Sequence, residues 1–375
     1  MAAFMDEFKL MEKRIRGYTK DVDLEKRKLS QRQRMLMTKE RTACEHGFDW
    51  AEVVDVYNTD AFKRQCSFPE EMALEATDPD QSCPRAVVHD LSPISSGLYL
   101  IEGALSPRQQ LHWAKRAVEE YSKVEHNNLS NLHNLSGGLP SEETANQFQH
   151  LWRASVREAV PYQSFSDLRW SCLGYHYNWT LRRYQKDLKS DFPDDLGRLC
   201  SSIAGLVGLD LVAEAAIINY YRSATRTLPM GGHLDDAEHT MDKPIVSISI
   251  GCSAIFLVGG RERSVKPTPI LVRSGDAIIM AGDSRYAYHG VPCVLPVDFQ
   301  PLGFGGAEVG RRGVNNSAQL RELEGTDADL HVIQYLQQAR ININVRQVVA
   351  CSDDEWIDKS GSGYREEQTD QALEK

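Results

Sequence analysis

The stretch KPIVSISIGCSAIFLVGG, residues 243–260, has the composition of two short β-strands. β-Branched and aromatic residues dominate it, and glycine, cysteine and serine separate its two apolar runs. The same character recurs in AEAAIINYYR (213–222), TPILVRSGDAIIMAG (268–282) and ARININVRQVVA (339–350). Short strands divided by Gly, Asp and Ser turns predict a mostly β protein with flanking helices, built on an antiparallel sandwich or jelly roll.

Composition places the 375-residue chain among ordinary globular proteins, with 41% hydrophobic and 26% charged residues. No apolar run approaches the roughly 18 residues of a membrane-spanning helix, so no membrane partner is expected. Acidic residues occupy the N-terminal stretch where a secretory signal would be apolar, which argues against export, whereas a mitochondrial transit peptide stays open. Eight scattered cysteines without a CxxC pair favour a reducing intracellular compartment over a zinc knuckle or a disulfide framework.

Charge and turn residues divide the chain into four predicted regions. Residues 1–42 form a basic helical extension, because Lys9–Arg41 holds 12 Lys/Arg against 5 Asp/Glu in a chain of net charge −10. Such a segment either touches phosphates or is simply a solvated helix. Residues 43–165 are predicted as a helical and loop region with a substrate lid, which includes a helix capped by Ser106 with Pro107 in its first turn. Residues 166–350 are the β domain with an insert at 290–339, and 351–375 form an acidic tail expected to be disordered.

The strand RININVRQV has two chemically different faces. Residues of a strand alternate between faces, so the apolar side chains of Ile341, Ile343 and Val345 can pack into the sandwich. The opposite face carries two guanidiniums and two amides: Arg340, Asn342, Asn344 and Arg346. Because the fork of Arg suits carboxylate, this face is either a dicarboxylate site or an exposed edge. In AEAAIINYYR the side chains of Ile217, Asn219 and Tyr221 likewise share a face.

A candidate metal site begins in GGHLDDAEH, residues 231–239. This stretch alone does not separate a pair of ligands, His233 and Asp235, from a polar surface turn. A third candidate, His289, follows a hydrophobic strand much further along the chain. Two histidines and one carboxylate with open positions are the ligand set of non-haem Fe(II) oxygenases.

These residues carry a resemblance to a known family. HLD at 233–235, then His289, then RININVRQV resemble the H-x-D…H…R-x-N-x-x-x-R signature of the AlkB family of Fe(II)/2-oxoglutarate nucleic-acid dioxygenases. Further runs resemble that family in the same order: LGYHYNW, INYY, KPIVSISIG, SAIFLVGG, SGDAIIMAG and SR…HGV. The YHYNW, NYYR and AIFLVGG runs are similar to its homologue 1 branch. The resemblance covers residues 166–350, about half of the chain, and implies a double-stranded β-helix (jelly-roll) core.

The resemblance also implies cofactors and the residues that hold them. His233, Asp235 and His289 would bind Fe(II), with 2-oxoglutarate and O₂ as co-substrates. Arg340 would pair with the far carboxylate of 2-oxoglutarate. Four residues would hold the remainder of that molecule: Asn219, Tyr221, Asn342 and Arg346. Arg346 would also steady Asp235, while Asp236 would point away toward the surface and His239 would be solvated or cap a helix.

The reaction implied is oxidative demethylation of a methylated base, with formaldehyde, succinate and CO₂ as products. The base must leave its stack, and Tyr175 matches the position where an aromatic ring stacks on it. Tyr177 and Trp179 are weaker candidates, and Arg263 matches a position near the substrate backbone. Ala237 replaces an acidic base contact of the bacterial prototype, which leaves Glu238 as the neighbouring candidate.

That departure favours methyladenine or methylcytosine in tRNA, or N6-methyladenine in unpaired DNA, over bacterial-type repair. We expect a monomer that acts on nucleic acid. By resemblance it would do so inside the cell, in the nucleus, the mitochondrion or both, with the cytoplasm possible. Three other functions stay open: a hydroxylase of a protein or small molecule, a non-catalytic nucleic-acid-binding module, and a lyase that uses a lysine amine at abasic sites. If residues 1–42 contact phosphates, their deletion should weaken nucleic-acid binding in a salt-dependent way.

Overall fold

The structure is a computed structural model, and it describes residues 6–26, 48–65, 87–122, 168–178, 181–222, 230–295 and 327–349. The α-helices of these ranges are α1 (Glu7–Lys26), α2 (Pro107–Glu119), α3 (Asp194–Gly205) and α4 (Asp327–Leu336). The first strands are β1 (Lys63–Gln65), β2 (Val87–Asp90), β3 (Leu98–Glu102), β4 (Trp170–Asn178), β5 (Arg183–Lys189) and β6 (Ala215–Arg222). The others are β7 (Met230–His233), β8 (Ile245–Gly251), β9 (Ala254–Val258), β10 (Thr268–Val272), β11 (Ala277–Met280), β12 (His289–Val294) and β13 (Ala339–Arg346).

The strands form two antiparallel sheets. The larger has the order β1-β2-β3-β11-β8-β13-β6-β4-β5, and the smaller has the order β10-β9-β12-β7. Strand β13 lies between β6 and β8, with Asn342 opposite Asn219 on one side and Ser249 on the other. This arrangement, two facing sheets of antiparallel strands with helices outside, is the jelly-roll core that the sequence predicted.

Hydrophobic clusters hold the layers together. One lies between the sheets and includes Leu100 and Ile278 of the large sheet and Val258 and Ile270 of the small one. A second packs α2, α3 and α4 against the outer face of the large sheet, where Ile343 is fully buried. The molecule is therefore layered as helices, large sheet and small sheet, and the space between the sheets can hold a ligand.

Strand β13 differs from the prediction in one respect. The alternation is as expected, but its apolar face packs against the helical layer rather than into the sandwich. Its polar face, with Arg340 and Arg346, points between the two sheets instead. The helices supply enough apolar surface to bury the Ile side chains, and this leaves the interior of the sandwich for the arginines.

Helix α2 begins where the sequence predicted. The Ser106 hydroxyl accepts from Gln109 N at 3.3 Å, and the Gln109 side chain accepts from Ser106 N at 2.9 Å. This reciprocal capping, with Pro107 in the first turn, satisfies backbone donors that would otherwise lack partners. Trp113 and Ala117 then point from one helix face into the core.

Helix α1 corrects one alternative left open for the basic N-terminal extension, that of a simply solvated helix. Phe8, Met11 and Ile15 recur at helical spacing and are buried against Ile255 and Leu257 of the small sheet. The helix therefore forms a fourth layer, outside the small sheet. The remainder of the predicted basic extension, residues 27–42, lies outside the described residues.

The predicted boundary at residue 166 also requires correction. Strands β2 and β3, which precede it, belong to the large sheet, because Leu100 of β3 pairs with Ile278 of β11. The predicted insert at 290–339 is shorter, since β12 extends to Val294 and α4 packs on the core. Residues 43–47, 66–86 and 123–165 of the region predicted to carry a substrate lid lie outside the described residues, and so does the acidic tail at 351–375. Among the helices of the described ranges, none combines the length and the apolar composition that a bilayer crossing would need.

Candidate active site

Two strands of the small sheet bring the histidines together. His233 is the last residue of β7 and His289 is the first residue of β12, and the two are direct partners in the strand register. Their ring centroids are 4.4 Å apart. The carboxylate of Asp235, two residues beyond β7, lies 3.6 Å from His233 Nε2 and 3.8 Å from His289 Nε2. One potential ligand atom from each residue lies within 4.8 Å of the other two, a spacing that fits a single metal ion.

Both imidazoles are oriented by backbone carbonyls. His233 Nδ1 lies 2.9 Å from Gly231 O, and His289 Nδ1 lies 3.1 Å from Ala287 O. A carbonyl oxygen only accepts, so each Nδ1 carries a proton and each Nε2 is the ring nitrogen directed toward Asp235. This tautomer is the one that metal-binding histidines adopt when the other ring nitrogen is held by a carbonyl. Burial and the neighbouring His233 lower the pKa of His289 to about 4, which keeps its ring neutral.

Two buried arginines surround Asp235. Arg346 Nη1 lies 3.1 Å from Asp235 Oδ2, and Arg285 Nη1 donates to the Asp235 backbone carbonyl. Burial alone would raise the pKa of Asp235, but Arg346 and the two histidines outweigh it and hold the pKa well below the usual range. The carboxylate is therefore ionised, which is the form that binds a metal.

Glu238 has a different place from the one predicted. It is fully buried, with Oε1 accepting from Arg346 Nη1 at 2.9 Å and Oε2 accepting from Arg285 Nη2 at 2.7 Å. Burial raises its pKa, but Arg346 and Arg285 prevail and lower it. Since both oxygens face guanidiniums, Glu238 supports the arginines around Asp235 rather than offering an oxygen to a substrate base.

Arg340 points into the space between the sheets with little to neutralise it. Its Nη2 donates to Ser249 Oγ at 2.9 Å, and its guanidinium carbon lies 5.3 Å from the centre of the Tyr221 ring. Burial lowers the pKa of Arg340, and its Nε and Nη1 make no hydrogen bond to any described residue. A buried guanidinium with two free donors is costly without an anion, so the donors fit a carboxylate from outside the chain.

A cavity of about 320 Å³ joins the histidines to this arginine. All the predicted metal and co-substrate residues line it, as do two of the predicted substrate residues: Asn219, Tyr221, His233, Asp235, His289, Arg340, Asn342 and Arg346, with Tyr177 and Glu238. Apolar side chains complete the wall, among them Phe256 and Met280. The volume lies at the lower end of the range for small-ligand sites, and it suits a dicarboxylate beside the metal together with part of a second molecule.

The aromatic pair of β4 is placed differently from the prediction. Tyr177 lines the cavity and meets Tyr184 edge to face at 5.4 Å, whereas Tyr175 does not line the cavity. Tyr175 is 8% exposed, with Lys189 Nζ 4.3 Å from its ring centre and Val348 in the same cluster. Of these two tyrosines, Tyr177 is therefore the one whose ring a ligand in the cavity can meet. Trp179 lies outside the described residues.

One more prediction changes at the cavity, and one further residue of its lining was not predicted. Asp236 lines the cavity instead of pointing away, and burial raises its pKa while Arg182 opposes the shift. Arg182, which the sequence analysis missed, stands in the hairpin between β4 and β5 in a left-handed conformation (φ 52°) and also lines the cavity. No pattern in the sequence distinguishes Arg182 from its neighbour Arg183. His239 is half-buried, and its backbone N–H donates to Val348 O at 2.8 Å.

Arg263 lies outside the cavity, against α1. Its Nε donates to Asp6 Oδ2 at 2.8 Å and its Nη1 donates to Gly232 O at 2.9 Å. The guanidinium also stacks near Phe8 and Tyr288, with its carbon 5.8 and 5.4 Å from their ring centres. A side chain so engaged is not available for the substrate contact that the sequence predicted.

Comparison with known families agrees with this geometry. Residues 97–346 match the family model of the 2OG-Fe(II) oxygenase superfamily, which spans two thirds of the chain. The chain belongs to that superfamily and is an oxygenase that uses Fe(II), 2-oxoglutarate and O₂. Within it the chain is of the AlkB type, as the predicted resemblance had indicated.

The similar proteins carry names that differ in substrate. The nucleic acid dioxygenase ALKBH1 of Homo sapiens is 36% identical over 288 residues, which are 72% of this chain and 70% of that protein. The DNA N(6)-methyladenine demethylase ALKBH1A of Arabidopsis thaliana is 31% identical over 67% of this chain and 75% of its own length. The tRNA demethylase abh1 of Schizosaccharomyces pombe is 34% identical over 48% of this chain and 53% of its own length.

Proposed function

We propose that this protein is an oxidative demethylase of methylated bases in nucleic acid, with His233, Asp235 and His289 as its iron ligands. The single observation that supports this most strongly is the shared cavity, which has three convergent ligand side chains at one end and the free donors of Arg340 at the other. The names of the similar dioxygenases and demethylases support nucleic acid as the substrate.

The chain's own residues prepare the site for its co-substrates. Arg340 binds the far carboxylate of 2-oxoglutarate, and Asn219, Tyr221 and Asn342 line the rest of that subsite. Arg346 keeps Asp235 ionised and in place. Bound iron, 2-oxoglutarate and O₂ together supply the oxidant that hydroxylates a methyl carbon, with release of succinate and CO₂. When that carbon is attached to a base nitrogen, the N-hydroxymethyl group breaks down to formaldehyde and the unmethylated base.

The substrate base reaches this site from the side of Tyr177. We infer that its ring stacks on the base and that Asp236 and Arg182 meet the polar edge of the base or the sugar, because all three line the cavity. A base inside a duplex cannot enter a cavity of this size, which favours unpaired nucleic acid or a flipped base. Methyladenine or methylcytosine in tRNA and N6-methyladenine in unpaired DNA are the proposed substrates.

One assay tests the proposal directly. The full chain is incubated with Fe(II), 2-oxoglutarate and either total tRNA or methylated single-stranded oligonucleotides, and nucleosides are then quantified by mass spectrometry. Loss of one methylated nucleoside with equal amounts of formaldehyde and succinate is expected. Turnover of an added protein or small molecule, with no nucleoside altered, would instead identify a hydroxylase on the same scaffold.

His233→Ala is the matched control. The variant should remain folded by circular dichroism and lose 2-oxoglutarate decarboxylation, because one of the three ligand positions is gone. Succinate formation equal to that of the wild type would refute the assignment of the metal site. A lyase that uses a lysine amine would keep its activity on abasic DNA in this variant and after chelation of iron.

We further propose that the enzyme acts as a monomer in a compartment that holds its nucleic acid, the nucleus or the mitochondrion. The complete cavity within one chain supports the first part, since no second copy is needed to line it. Size-exclusion chromatography with light scattering tests the monomer, and a dimer mass would contradict it. Imaging of the tagged full chain tests the compartment.

A further inference from the structure

The strand that carries His233 is an edge strand whose outer side is covered by side chains. Among the described strands β7 pairs only with β12, so one row of its backbone groups has no strand partner. At Gly232, the residue before His233, both groups are nevertheless bound. Gly232 N donates to Glu12 Oε1 at 2.6 Å, and Gly232 O accepts from Arg263 Nη1 at 2.9 Å. Glu12 of α1 and Arg263 of the β9–β10 loop thus replace a neighbouring strand.

Helix α1 is fitted closely to this strand. Phe8 is fully buried, and a side chain at Gly232 would place its first carbon 2.5 Å from the Phe8 ring. At Gly259 the same distance would be 3.2 Å, so two glycines create the space that the ring fills. The backbone N–H of Phe8 donates to Arg263 O at 3.1 Å. The helix is therefore fixed in register with the strand as well as packed on it.

The carboxylate of Glu12 is buried, although it lies on the outer face of the small sheet. It is 5% exposed, and Arg16 Nη2 lies 3.8 Å from its second oxygen. Arg263 is held in turn by Asp6, at 2.8 Å. Charged groups in such positions are not needed to bury the apolar face of α1, since Phe8, Met11 and Ile15 already do that.

We infer that Glu12 and Arg263 are positioning residues for the metal site, which act through Gly232 on the imidazole of His233. The inference rests on the proposed function, because it requires His233 to be a ligand. An edge strand bound on one side only can shift relative to its partner. With Gly232 held at both backbone groups, β7 stays in register with β12, and His233 stays opposite His289 and beside Asp235. Helix α1 is thereby part of the scaffold of the active site.

Metal affinity tests the inference in the full-length protein. Co(II) is titrated into the metal-free protein and followed by its visible absorption. Glu12→Ala should weaken Co(II) binding about tenfold or more, the usual effect of losing a group that orients a metal ligand. Glu12→Gln keeps an oxygen that can accept from Gly232 N and should stay within about threefold of the wild type. The KM for 2-oxoglutarate should change little, since Arg340 lies on the other sheet.

The control comes from the same helix. Arg14 pairs with Glu52 at 2.8 Å, away from β7, so Arg14→Ala should leave Co(II) affinity unchanged. Arg263→Gln is the second variant if Glu12→Ala does not fold, and it should also lose Co(II) affinity. Wild-type affinity in a folded Glu12→Ala or Arg263→Gln protein would overturn the inference. The proposed function fails separately, if His233→Ala binds Co(II) as the wild type does.

Discussion

Arg346 and Asp235 form an ion pair in the wall of the cavity, with Arg346 Nη1 3.1 Å from Asp235 Oδ2. The same nitrogen donates to Glu238 Oε1 at 2.9 Å. One guanidinium thus connects the carboxylate beside the two histidines to an acidic residue in the interior. The two acids would repel each other without it, and burial would favour the protonated form of each.

Replacing Arg346 with Lys should weaken metal binding without removing a ligand. A lysine amine cannot reproduce the fork that reaches both carboxylates, so Asp235 becomes less well held and binds a proton more readily. Co(II) affinity is expected to fall about tenfold or more at neutral pH. Unchanged Co(II) affinity in the folded variant would show that Arg346 does not steady Asp235.

Arg340→Met should affect 2-oxoglutarate and spare the metal. Loss of one partner of a buried charge pair costs about 2–5 kcal/mol, so the KM for 2-oxoglutarate should rise by roughly thirtyfold or more. Succinate formation at a series of 2-oxoglutarate concentrations measures the effect. Co(II) affinity of the same variant serves as the control and should match that of the wild type. A normal KM would remove Arg340 from the carboxylate subsite.

Tyr177→Ala and Tyr175→Ala should separate substrate binding from folding. Tyr177 faces the cavity, and base stacking on an aromatic ring contributes about 1–3 kcal/mol, so its loss should raise the KM for the oligonucleotide about fivefold or more. Tyr175 is packed under Lys189, so Tyr175→Ala should mainly lower the melting temperature of the protein. The opposite pattern would restore the assignment made from the sequence.

Glu238→Gln should destabilise the fold far more than Glu52→Gln. Glu238 is fully buried between Arg285 and Arg346, and removing one charge of such a pair costs about 3–5 kcal/mol. Glu52 pairs with Arg14 and Lys266 near the surface, where such contacts contribute below about 1 kcal/mol. Urea unfolding of both variants measures the difference. Equal free energies of unfolding for the two variants would contradict the expected stabilisation by the ion pairs of Glu238 with Arg285 and Arg346.

The raised pKa of Asp276, a residue outside the active site, should make the free energy of unfolding depend on pH. Burial raises its pKa to about 6, although Tyr57 Oη donates to it at 2.6 Å and Gly103 N donates at 3.1 Å. The folded state therefore holds this proton more tightly than the unfolded state. Its contribution to stability is complete below about pH 4 and is lost as the pH rises to 6.

Asp276→Asn removes that titration. The free energy of unfolding of the wild type minus that of the variant should fall by roughly 2–3 kcal/mol between pH 4 and pH 7. Urea unfolding at several pH values provides the measurement. A difference that stays constant with pH would mean that Asp276 is ionised over the whole range.

The sequence predicted the site residues best where the alternation within a single strand determines which side chains share a face. The alternation in β13 and β6 placed Arg340, Asn342 and Asn219 on one face, because a strand leaves no other arrangement. It could not distinguish Tyr175 from Tyr177, which share a face in any regular strand. The register between β4 and β5 shifts between these two residues, and only Tyr177 then faces the cavity.

Contacts between distant segments were beyond the sequence patterns. The positions of Arg263 and Glu238 depend on α1 and on two arginines far along the chain, and no local spacing encodes such packing. The apolar face of α1 was visible in Phe8, Met11 and Ile15, yet the excess of basic residues around it suggested a free arm. Deleting residues 1–42 would therefore disturb the core. The hypothesis that this segment contacts nucleic-acid phosphates is better tested by neutralising single basic residues.

The two faces of β13 make its length as important as its composition. Its isoleucines pack against the helical layer, and its arginines point into the cavity between the sheets. Because the two kinds of residue alternate, every position in the strand belongs to one of these faces. Inserting a single residue in the middle of this strand would reverse the two faces after the insertion. The guanidiniums there would point into the hydrophobic helical layer, and the aliphatic side chains would point toward the co-substrate. A change of length is therefore more disruptive in this strand than in a surface loop, where the cost of added residues grows only slowly.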